Sequence, residues 1–557
     1  MSGKFTTVAF SRRLSALFAA ATLLCGAVAA EQGPAGTLST DSPPHAAGAA
    51  ADGFAAALRA ALGDEALASV YAARGGEPIW LAGDAGTARA LLSTLRAASD
   101  HALPAARYGV EALEARLARR RDPAPDPASD AALEAALTHA YLRYARDVGS
   151  GVLEPRRVAR LMKIDPPRRD PIALLTAAAE ATDMPAHLAT LPPGDAGYAA
   201  LMRAYAALGE RAESGDWGAA APEGPTIRPG ERNARVAALR ARLAALGEPA
   251  GAADAAYYDA ALEQAVRAFQ RRHGLNDDGV VGPATLAALN VSAAERAGQI
   301  AVNLERMRWM NRPLGRRHIV VNQPDFTVTL TQDGAVLFHE RVVIGRLAEQ
   351  TPEFSDEMRF LVFNPTWHVP RSIATQDLLP ALQRDPTVLA QRNMRLVRTD
   401  GGPAPEDPST HDFNAYTARD FPYRIRQAPS AGNALGLVKF MFPNSDNIYL
   451  HDTPQKNLFA RDVRAFSWGC VRVRDPLRLA ALLLAPQSEA PEAMIDRLLA
   501  TGRERRVDLE AVVPVHLTYR TAWVDGAGAL QLRGDVYGRD ALMLAALRAL
   551  GVEAPGT

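Results

Sequence analysis

The first half of the chain carries apolar residues at helical spacing. Between residues 53 and 213, Leu, Ala, Tyr and Val recur every three or four positions, for example in 88–98 and 131–148. Such a spacing places these side chains on one face of a helix. The pattern therefore predicts a mostly helical scaffold domain over residues 51–213.

A different pattern begins near residue 317, where β-branched residues alternate with polar ones. Strands are predicted at 319–322, 326–330, 336–344, 361–367, 435–442 and 448–451. The pair Asp333-Gly334 between the second and third runs is typical of a hairpin turn. We therefore predict a multidomain α+β fold, with a β-rich domain over 316–504 that follows helical domains. Residues 505–557 are expected to be a C-terminal extension that packs on the scaffold or on the β-rich domain.

An insertion over about 371–424 interrupts the predicted strands. It contains helical stretches and a loop, 399–410, that is rich in Gly and Pro. An insertion of this size beside a sheet is typical of an element that covers a cleft or selects a substrate.

Residues 231–292 have the pattern of three short helices. Gly247 and Gly274 end the first two, and Pro283 occupies the first turn of the third, where a missing N–H costs no hydrogen bond. This run resembles the peptidoglycan-binding domain family, and nearly every position of that pattern is matched. The resemblance implies a three-helix module that binds the cell wall.

Two segments, 31–50 and 214–230, are rich in Gly and Pro and are predicted to be linkers. Ahead of the first, basic residues precede an apolar stretch over 14–24 and a small-residue cleavage pattern over 27–30. This order predicts a signal peptide over 1–30 and export to the periplasm or cell envelope. Retention of the segment as a single N-terminal membrane anchor stays open, although it is shorter than the ~20 residues of a comfortable span.

The composition argues against several functional classes. The 62 Lys and Arg residues are balanced by 62 Asp and Glu residues, and the arginine pairs are scattered, so we expect no nucleic-acid partner. The sequence has no His-Glu-x-x-His, no Cys-x-x-Cys and no phosphate-binding glycine loop. Neither a metal nor a cofactor is therefore expected.

One cysteine, Cys470, remains after removal of the predicted signal, which contains Cys25. A single cysteine cannot close an internal disulfide, and in an oxidising compartment it is vulnerable to oxidation. Gly469 before it allows a sharp turn that brings backbone amides close to a bound carbonyl. We interpret Cys470 as a nucleophile; an inert, buried cysteine is the alternative.

His451 is the predicted general base for this thiol. In the strand-like run 447–451, alternation places Tyr449 and His451 on one face. A thiol is mostly protonated at neutral pH, and an adjacent imidazole would accept its proton and later supply it to a leaving amine. The Asp452 side chain points away by the same alternation, so we expect a backbone carbonyl to orient the ring.

The two elements together resemble a known signature. The run 451–453, followed by Ser-Trp-Gly-Cys-Val-Arg at 467–472, is similar to the signature of the L,D-transpeptidase (YkuD-type) catalytic domain. The runs 363–370, 427–436 and 442–444 resemble the large YcbB-like members, which carry a helical scaffold, a peptidoglycan-binding domain and a capping insertion. The resemblance covers essentially the whole exported chain.

The resemblance implies a cysteine acyltransferase that forms 3→3 cross-links in peptidoglycan. Cys470 would attack the carbonyl of the third residue of a tetrapeptide stem and release D-alanine, with His451 as base and backbone amides near Gly469 and Cys470 binding the oxyanion. An amine of a second stem would then resolve the thioester. The implied partners are stem peptides, glycan and other cell-wall synthesis proteins, and carbapenems are implied as acylating inhibitors.

Tyr449, Ser467, Trp468 and Arg472 are predicted to contact substrate. Arg472 is suited to a stem carboxylate, and a structural ion pair is an equal alternative. Trp468 stands where most of the wider family has His, so the polarity around the sulfur must differ.

Two other functions stay open at this point. Water in place of the amine would make the protein an L,D-carboxypeptidase or a cross-link hydrolase that uses the same cysteine. Alternatively, Trp468 marks a degenerate catalytic domain, and the protein is a wall-binding scaffold.

Overall fold

The computed structural model describes residues 45–120, 126–251, 254 and 256–552. The predicted signal peptide and most of the first predicted linker lie outside the described residues. The predicted multidomain α+β class is confirmed, because helices predominate up to residue 309 and a large sheet follows. Within the described ranges, we find no helix with the length and apolar character needed to cross a bilayer.

The N-terminal part of the chain forms a helical domain. Its first helix begins at His45, inside the predicted linker 31–50, because residues 46–51 are rich in alanine, the residue with the highest helix propensity. Aspartates cap several of the other helices by accepting N–H groups of the first turn, as Asp64 and Asp195 do. The helices of this part are α1 (His45–Leu62), α2 (Glu65–Ala73), α3 (Gly86–Arg96), α4 (Val110–Arg119), α5 (Pro127–Ser150), α6 (Pro155–Val158), α7 (Pro171–Glu180), α8 (Met184–Ala189) and α9 (Ala196–Glu213).

The predicted three-helix module is present. It consists of α10 (Val236–Ala245), α11 (Ala260–Arg272) and α12 (Pro283–Leu289). The irregular segment 214–230 before it packs against the module. Both backbone groups of Ala221 bond to the side chain of Asn290, at 2.9 Å each, and Ile227 is buried and forms a β-bridge with Val281. These contacts fix the segment against the module, although its Gly and Pro content alone predicts a linker.

The helix α13 (Ala293–Trp309) lies in the core of the scaffold domain, although no sequence prediction covered it. Its Glu305 carboxylate is fully buried and accepts hydrogen bonds from the Leu153 N–H at 2.8 Å, the Trp309 indole at 3.0 Å and the Arg308 guanidinium at 2.7 Å. A buried charge with this set of partners is satisfied. These contacts join α13 to the loop that follows α5.

The strands and remaining helices follow α13. The strands are β1 (Arg317–Asn322), β2 (Thr327–Gln332), β3 (Ala335–Gly345), β4 (Phe354–Phe363), β5 (Trp367–His368), β6 (Met394–Arg398), β7 (Tyr423–Gln427), β8 (Val438–Met441), β9 (Leu450–His451), β10 (Ala465–Ser467), β11 (Val471–Val473), β12 (Arg505–Thr518), β13 (Ala522–Val524) and β14 (Leu530–Leu532). The helices are α14 (Arg371–Ile373), α15 (Leu379–Arg384), α16 (Val388–Gln391), α17 (Pro476–Leu484), α18 (Pro491–Ala500) and α19 (Arg539–Ala549).

Nine strands form one sheet in the order β10-β3-β11-β9-β8-β4-β12-β1-β2. An additional pairing joins β2, the last strand of this order, to β3, the second, so the sheet closes on itself and β10 lies outside the closure. Strand β12 lies between β4 and β1, although it starts after residue 504, where we expected the domain to end. At alternate positions of β12, the side chains of Val513, Val515 and Leu517 are all buried, as expected on the core face of a central strand. The sheet therefore extends through residue 518, well into the predicted C-terminal extension.

The rest of the C-terminal segment returns to the scaffold domain. The hairpin β13–β14 and the helix α19 contribute Ala522, Leu532, Met543 and Leu547 to the scaffold core. A single segment thus contributes to the closed sheet first and to the helical core afterwards.

The insertion over 371–424 has an apolar core of its own, which includes Leu382 and Phe413. Besides α14, α15 and α16, it contributes β6 and the start of β7 to a three-stranded sheet, β5-β7-β6, whose strand β5 lies just before the insertion and which the sequence prediction did not include. The predicted strand 361–367 is split between the two sheets, because Asn364 adopts a φ of 45° and Pro365 follows it.

Strand β12 offers a test of the closed sheet. Val515 is 1% exposed and Val512 is 48% exposed. We expect Val515→Asp to lower the free energy of unfolding by about 3 kcal/mol, because it buries an unpaired carboxylate. Val512→Asp, the matched control in the same strand, should leave it nearly unchanged. Thermal unfolding of the two variants checks this, and equal unfolding temperatures would contradict the central position of β12.

Candidate active site

A cleft of about 1130 Å³ lies between the insertion and the strands β8, β9 and β11. The sheet and the turns beside it contribute a cluster of polar and titratable side chains. These residues are Lys439, Tyr449, His451, Trp468, Cys470 and Arg472. The insertion and the β5 segment supply the opposite wall, and the residues there include Trp367, Arg371, Ile373, Arg392 and Met394.

Strands β9 and β11 bring the predicted site residues together. They pair in parallel, with Leu450 opposite Val471 and His451 opposite Arg472. Leu450 and Val471 are fully buried beneath the sheet, so alternation directs their neighbours on both strands toward the cleft. Tyr449 and His451 share this face, with ring centroids 5.6 Å apart.

A tight turn presents Cys470 at the start of β11. Gly469 has a φ of 105°, and a Cβ at this position would lie 3.2 Å from the Ile448 side chain, so glycine suits both the conformation and the space. The Ser467 hydroxyl accepts the Gly469 N–H at 3.1 Å and donates to the Cys470 carbonyl at 2.6 Å. The turn is thus closed by a side chain within it.

These bonds alter two expectations. Ser467 is 2% exposed and its hydroxyl is used inside the turn, whereas the sequence suggested a substrate contact. The Gly469 N–H is likewise engaged by Ser467, so of the two amides expected to bind an oxyanion, those of Gly469 and Cys470, the Cys470 N–H is the one that is left.

The Cys470 thiol is partly exposed at the base of the cleft. Its sulfur lies 3.6 Å from the Asn447 carbonyl oxygen. Burial raises the pKa of Cys470 to about 11, although Tyr449 and the positive charge of Arg472 oppose this shift. The thiol is therefore protonated at neutral pH, and a base must remove its proton before it can act as a nucleophile.

The His451 ring is oriented by a backbone carbonyl, as we expected. Its Nδ1–H donates to the Asp452 carbonyl at 2.5 Å, which leaves Nε2 as the basic nitrogen. The Asp452 carboxylate is directed elsewhere and accepts the Leu437 and Thr453 N–H groups, at 2.8 and 2.7 Å. Burial, together with the positive charges of Arg472 and Lys439, lowers the pKa of His451 to about 3, although the hydrogen bond to the Asp452 carbonyl opposes this shift. The imidazole is neutral at pH 7.

Trp468 joins the turn to the insertion. Its ring packs against the apolar core of the insertion, and the Arg346 guanidinium lies 4.0 Å from the ring centroid. The backbone N–H of Arg346 also donates to the Ser467 carbonyl at 2.9 Å. An indole in this position therefore supplies packing and a cation–π contact.

Arg472 extends into the cleft, where its Nη1 donates to the neutral Gln455 side chain at 2.7 Å. Among the described residues, no carboxylate lies within 4.0 Å of its guanidinium. Arg472 therefore has no acidic partner for a structural ion pair, the alternative role, among the described residues.

Sequence reasoning missed the groups that support the turn from behind. Thr351 Oγ1 donates to the Gly469 carbonyl at 2.7 Å and accepts the Gly345 N–H at 2.9 Å. The Tyr537 hydroxyl donates to the Gly345 carbonyl at 2.6 Å. Thr351 is more than 100 positions from Gly469, and Tyr537 is more than 100 positions from Gly345, so no local pattern links these pairs.

The pKa of Cys470 is open to direct test. In a Cys25→Ser background only Cys470 can react, and we expect its alkylation by iodoacetamide to keep accelerating up to about pH 11, because burial disfavours the thiolate. Mass spectrometry gives the rate at each pH. The same protein in urea is the control and should titrate near ~8.5. A folded-state rate that levels off below pH 8 would contradict the shift.

Comparisons with protein families agree with the observed domains. Residues 316–504 match the L,D-transpeptidase catalytic domain (YkuD), and residues 65–204 match the scaffold domain. Residues 232–289 match the family described as "Putative peptidoglycan binding domain".

Individual relatives match parts of the chain. A protein of Haemophilus influenzae named "Putative L,D-transpeptidase" is 35% identical over 242 residues, which are 43% of this chain and 48% of that protein. The chain thus spans about half the length of this relative. The N-acetylmuramoyl-L-alanine amidase CwlM of Mycobacterium tuberculosis is 42% identical over 85 residues, 14% of this chain and 21% of that protein.

A solved L,D-transpeptidase structure from Xylanimonas cellulosilytica aligns with 53% of this chain and 99% of its own, at 18% identity and a TM-score of 0.16. These values are too low to support an inference. The matches to the three domain families account for the helical domain, the three-helix module and most of the closed sheet. The chain therefore contains three regions that match known domain families: a scaffold domain, a peptidoglycan-binding domain and the L,D-transpeptidase catalytic domain (YkuD).

Proposed function

We propose that the protein is a peptidoglycan L,D-transpeptidase that forms 3→3 cross-links through a thioester on Cys470. The observation that carries this proposal is the pairing of a thiol and a neutral, buried imidazole on one face of the cleft. The free Nε2 of His451 is the nitrogen suited to accept the thiol proton.

The first half-reaction follows from these protonation states. As the Cys470 sulfur bonds to the carbonyl carbon of the third stem residue, His451 accepts the thiol proton. The carbon–nitrogen bond to D-alanine then breaks, and His451 returns the proton to the leaving amine, which leaves a thioester. The Cys470 N–H would bind the oxyanion, a contribution typically worth about 3 kcal/mol.

The second half-reaction uses an amine of another stem. That amine attacks the thioester carbonyl, a carbon–nitrogen bond replaces the carbon–sulfur bond, and its proton passes through His451 to the sulfur. The cleft volume of about 1130 Å³ exceeds the ~300–1,000 Å³ typical of a site for one small ligand, which supports room for two peptides. Water as the acceptor would instead give a carboxypeptidase or a cross-link hydrolase.

The contacts of Trp468 argue against a degenerate catalytic domain. The ring packs on the insertion and against Arg346, while His451 and Cys470 keep their own positions on the cleft face. The peptidoglycan-binding domain supports a second contact with glycan. We also propose export to the periplasm by the N-terminal signal and acylation of Cys470 by carbapenems.

The decisive experiment offers purified protein a disaccharide-tetrapeptide and identifies the products by mass spectrometry. We expect cross-linked dimer and free D-alanine. Cys470→Ala should abolish both, because no other group replaces the nucleophile, while its unfolding temperature stays near that of the parent. Cys25→Ala is the matched control and should retain full activity. Tripeptide without dimer would favour hydrolysis, and dimer formation by folded Cys470→Ala would exclude the thioester route.

The low pKa of His451 predicts the acid side of the pH profile. Because the imidazole of the free enzyme takes up a proton only near pH 3, kcat/KM for D-alanine release should not fall by half near pH 6.5, the ordinary histidine value. His451→Ala should lose most activity, and its residual rate should rise toward pH 11 as thiolate forms. Initial rates over pH 5–11 measure both effects. Loss of half of the parent activity near pH 6.5 would contradict the lowered pKa of His451.

A further inference from the structure

His451 lies between two cationic residues on neighbouring strands. The antiparallel pairing of β8 and β9 places Lys439 opposite His451, and the parallel pairing of β9 and β11 places Arg472 opposite it on the other side. All three side chains line the cleft. The sheet thus presents cation, base and cation in one row.

The described part of the protein only partly compensates the charge of these two cations. Among the described residues, neither Lys439 nor Arg472 has a carboxylate within 4.0 Å, and Arg472 donates to a neutral amide, that of Gln455. The Asp452 carboxylate, which follows His451 in the chain, is engaged instead by backbone N–H groups and by Lys456. Burial lowers the pKa of both cations, and Glu504 partly offsets this for Lys439. Partly buried cations without an anion favour an anionic ligand.

The chemistry of the donor peptide supplies such an anion at the right distance. In a tetrapeptide that ends in D-alanine, the leaving nitrogen is separated from the terminal carboxylate by a single carbon. His451 must deliver a proton to this nitrogen. A carboxylate held between the two cations would therefore set the leaving nitrogen beside the imidazole.

We propose that Lys439 and Arg472 together bind the terminal carboxylate of the donor stem, and that Lys439 makes the enzyme specific for donors in which a free carboxylate follows the scissile bond by one residue. This inference rests on the proposed function. It selects tetrapeptide donors, because an additional residue or a terminal amide removes the negative charge from the position between the cations.

The test compares two donors, the disaccharide-tetrapeptide acid and its C-terminal amide, by kcat/KM for formation of tripeptide and dimer. We expect the parent protein to prefer the acid by at least about tenfold in kcat/KM, because the amide loses a charge-assisted hydrogen bond. Lys439→Gln should slow the acid and spare the amide, so that this ratio falls to below about threefold. Lys439→Arg, which keeps the charge, should preserve most of it.

The matched control is Arg359→Gln, which removes an exposed cation of the same sheet, on β4 and outside the cleft. It should keep the parent ratio. An acid-to-amide ratio near one in the parent protein would overturn the inference, and this outcome does not depend on how well any variant folds. An equal slowing of both donors by Lys439→Gln would overturn it as well. If neither D-alanine from the acid nor D-alaninamide from the amide were released, the proposed function itself would fail.

Discussion

The parallel register between β9 and β11 is the constraint on which the site depends. It sets Arg472 opposite His451 and leaves Cys470, two positions earlier, beside Tyr449. Because side chains alternate across a strand, a slip of one residue would turn the proposed nucleophile into the core and expose apolar side chains to the cleft. The full burial of Leu450 and Val471 opposes that slip, so the hydrophobic core beneath the sheet maintains the geometry of the polar face above it.

Segments far from the nucleophile in sequence hold the loops around it. Arg539 forms a buried ion pair with Glu353 at 2.8 Å, close to the Thr351 hydroxyl that binds the Gly469 carbonyl. From the scaffold domain, Lys163 pairs with Asp446 at 2.6 Å. Asp446 precedes Asn447, whose carbonyl faces the Cys470 thiol. The cleft is therefore supported from outside the region that matches the L,D-transpeptidase catalytic domain.

Local signals predicted local structure well. The helical periods, the three-helix module and the shared face of Tyr449 and His451 all follow from spacing within one segment. The place of β12 in the sheet, the small sheet of the insertion and the contact between Thr351 and Gly469 depend on pairings between distant segments. Alternation indicates that a strand exists but does not specify its neighbour. The role of Ser467 was missed for a different reason, since a hydroxyl beside a nucleophile suits a turn and a substrate equally well.

The late position of β12 affects how the protein assembles. Strands β1 and β4 are both synthesised well before the strand that separates them, and the turn that carries Cys470 also precedes it. The closed sheet is therefore incomplete until the chain has been made through residue 518. Pairings between segments so far apart form slowly and leave strand edges open in the meantime. Because β13, β14 and α19 follow β12 and complete the core of the helical domain, both the closed sheet and that core must wait for the C-terminal segment.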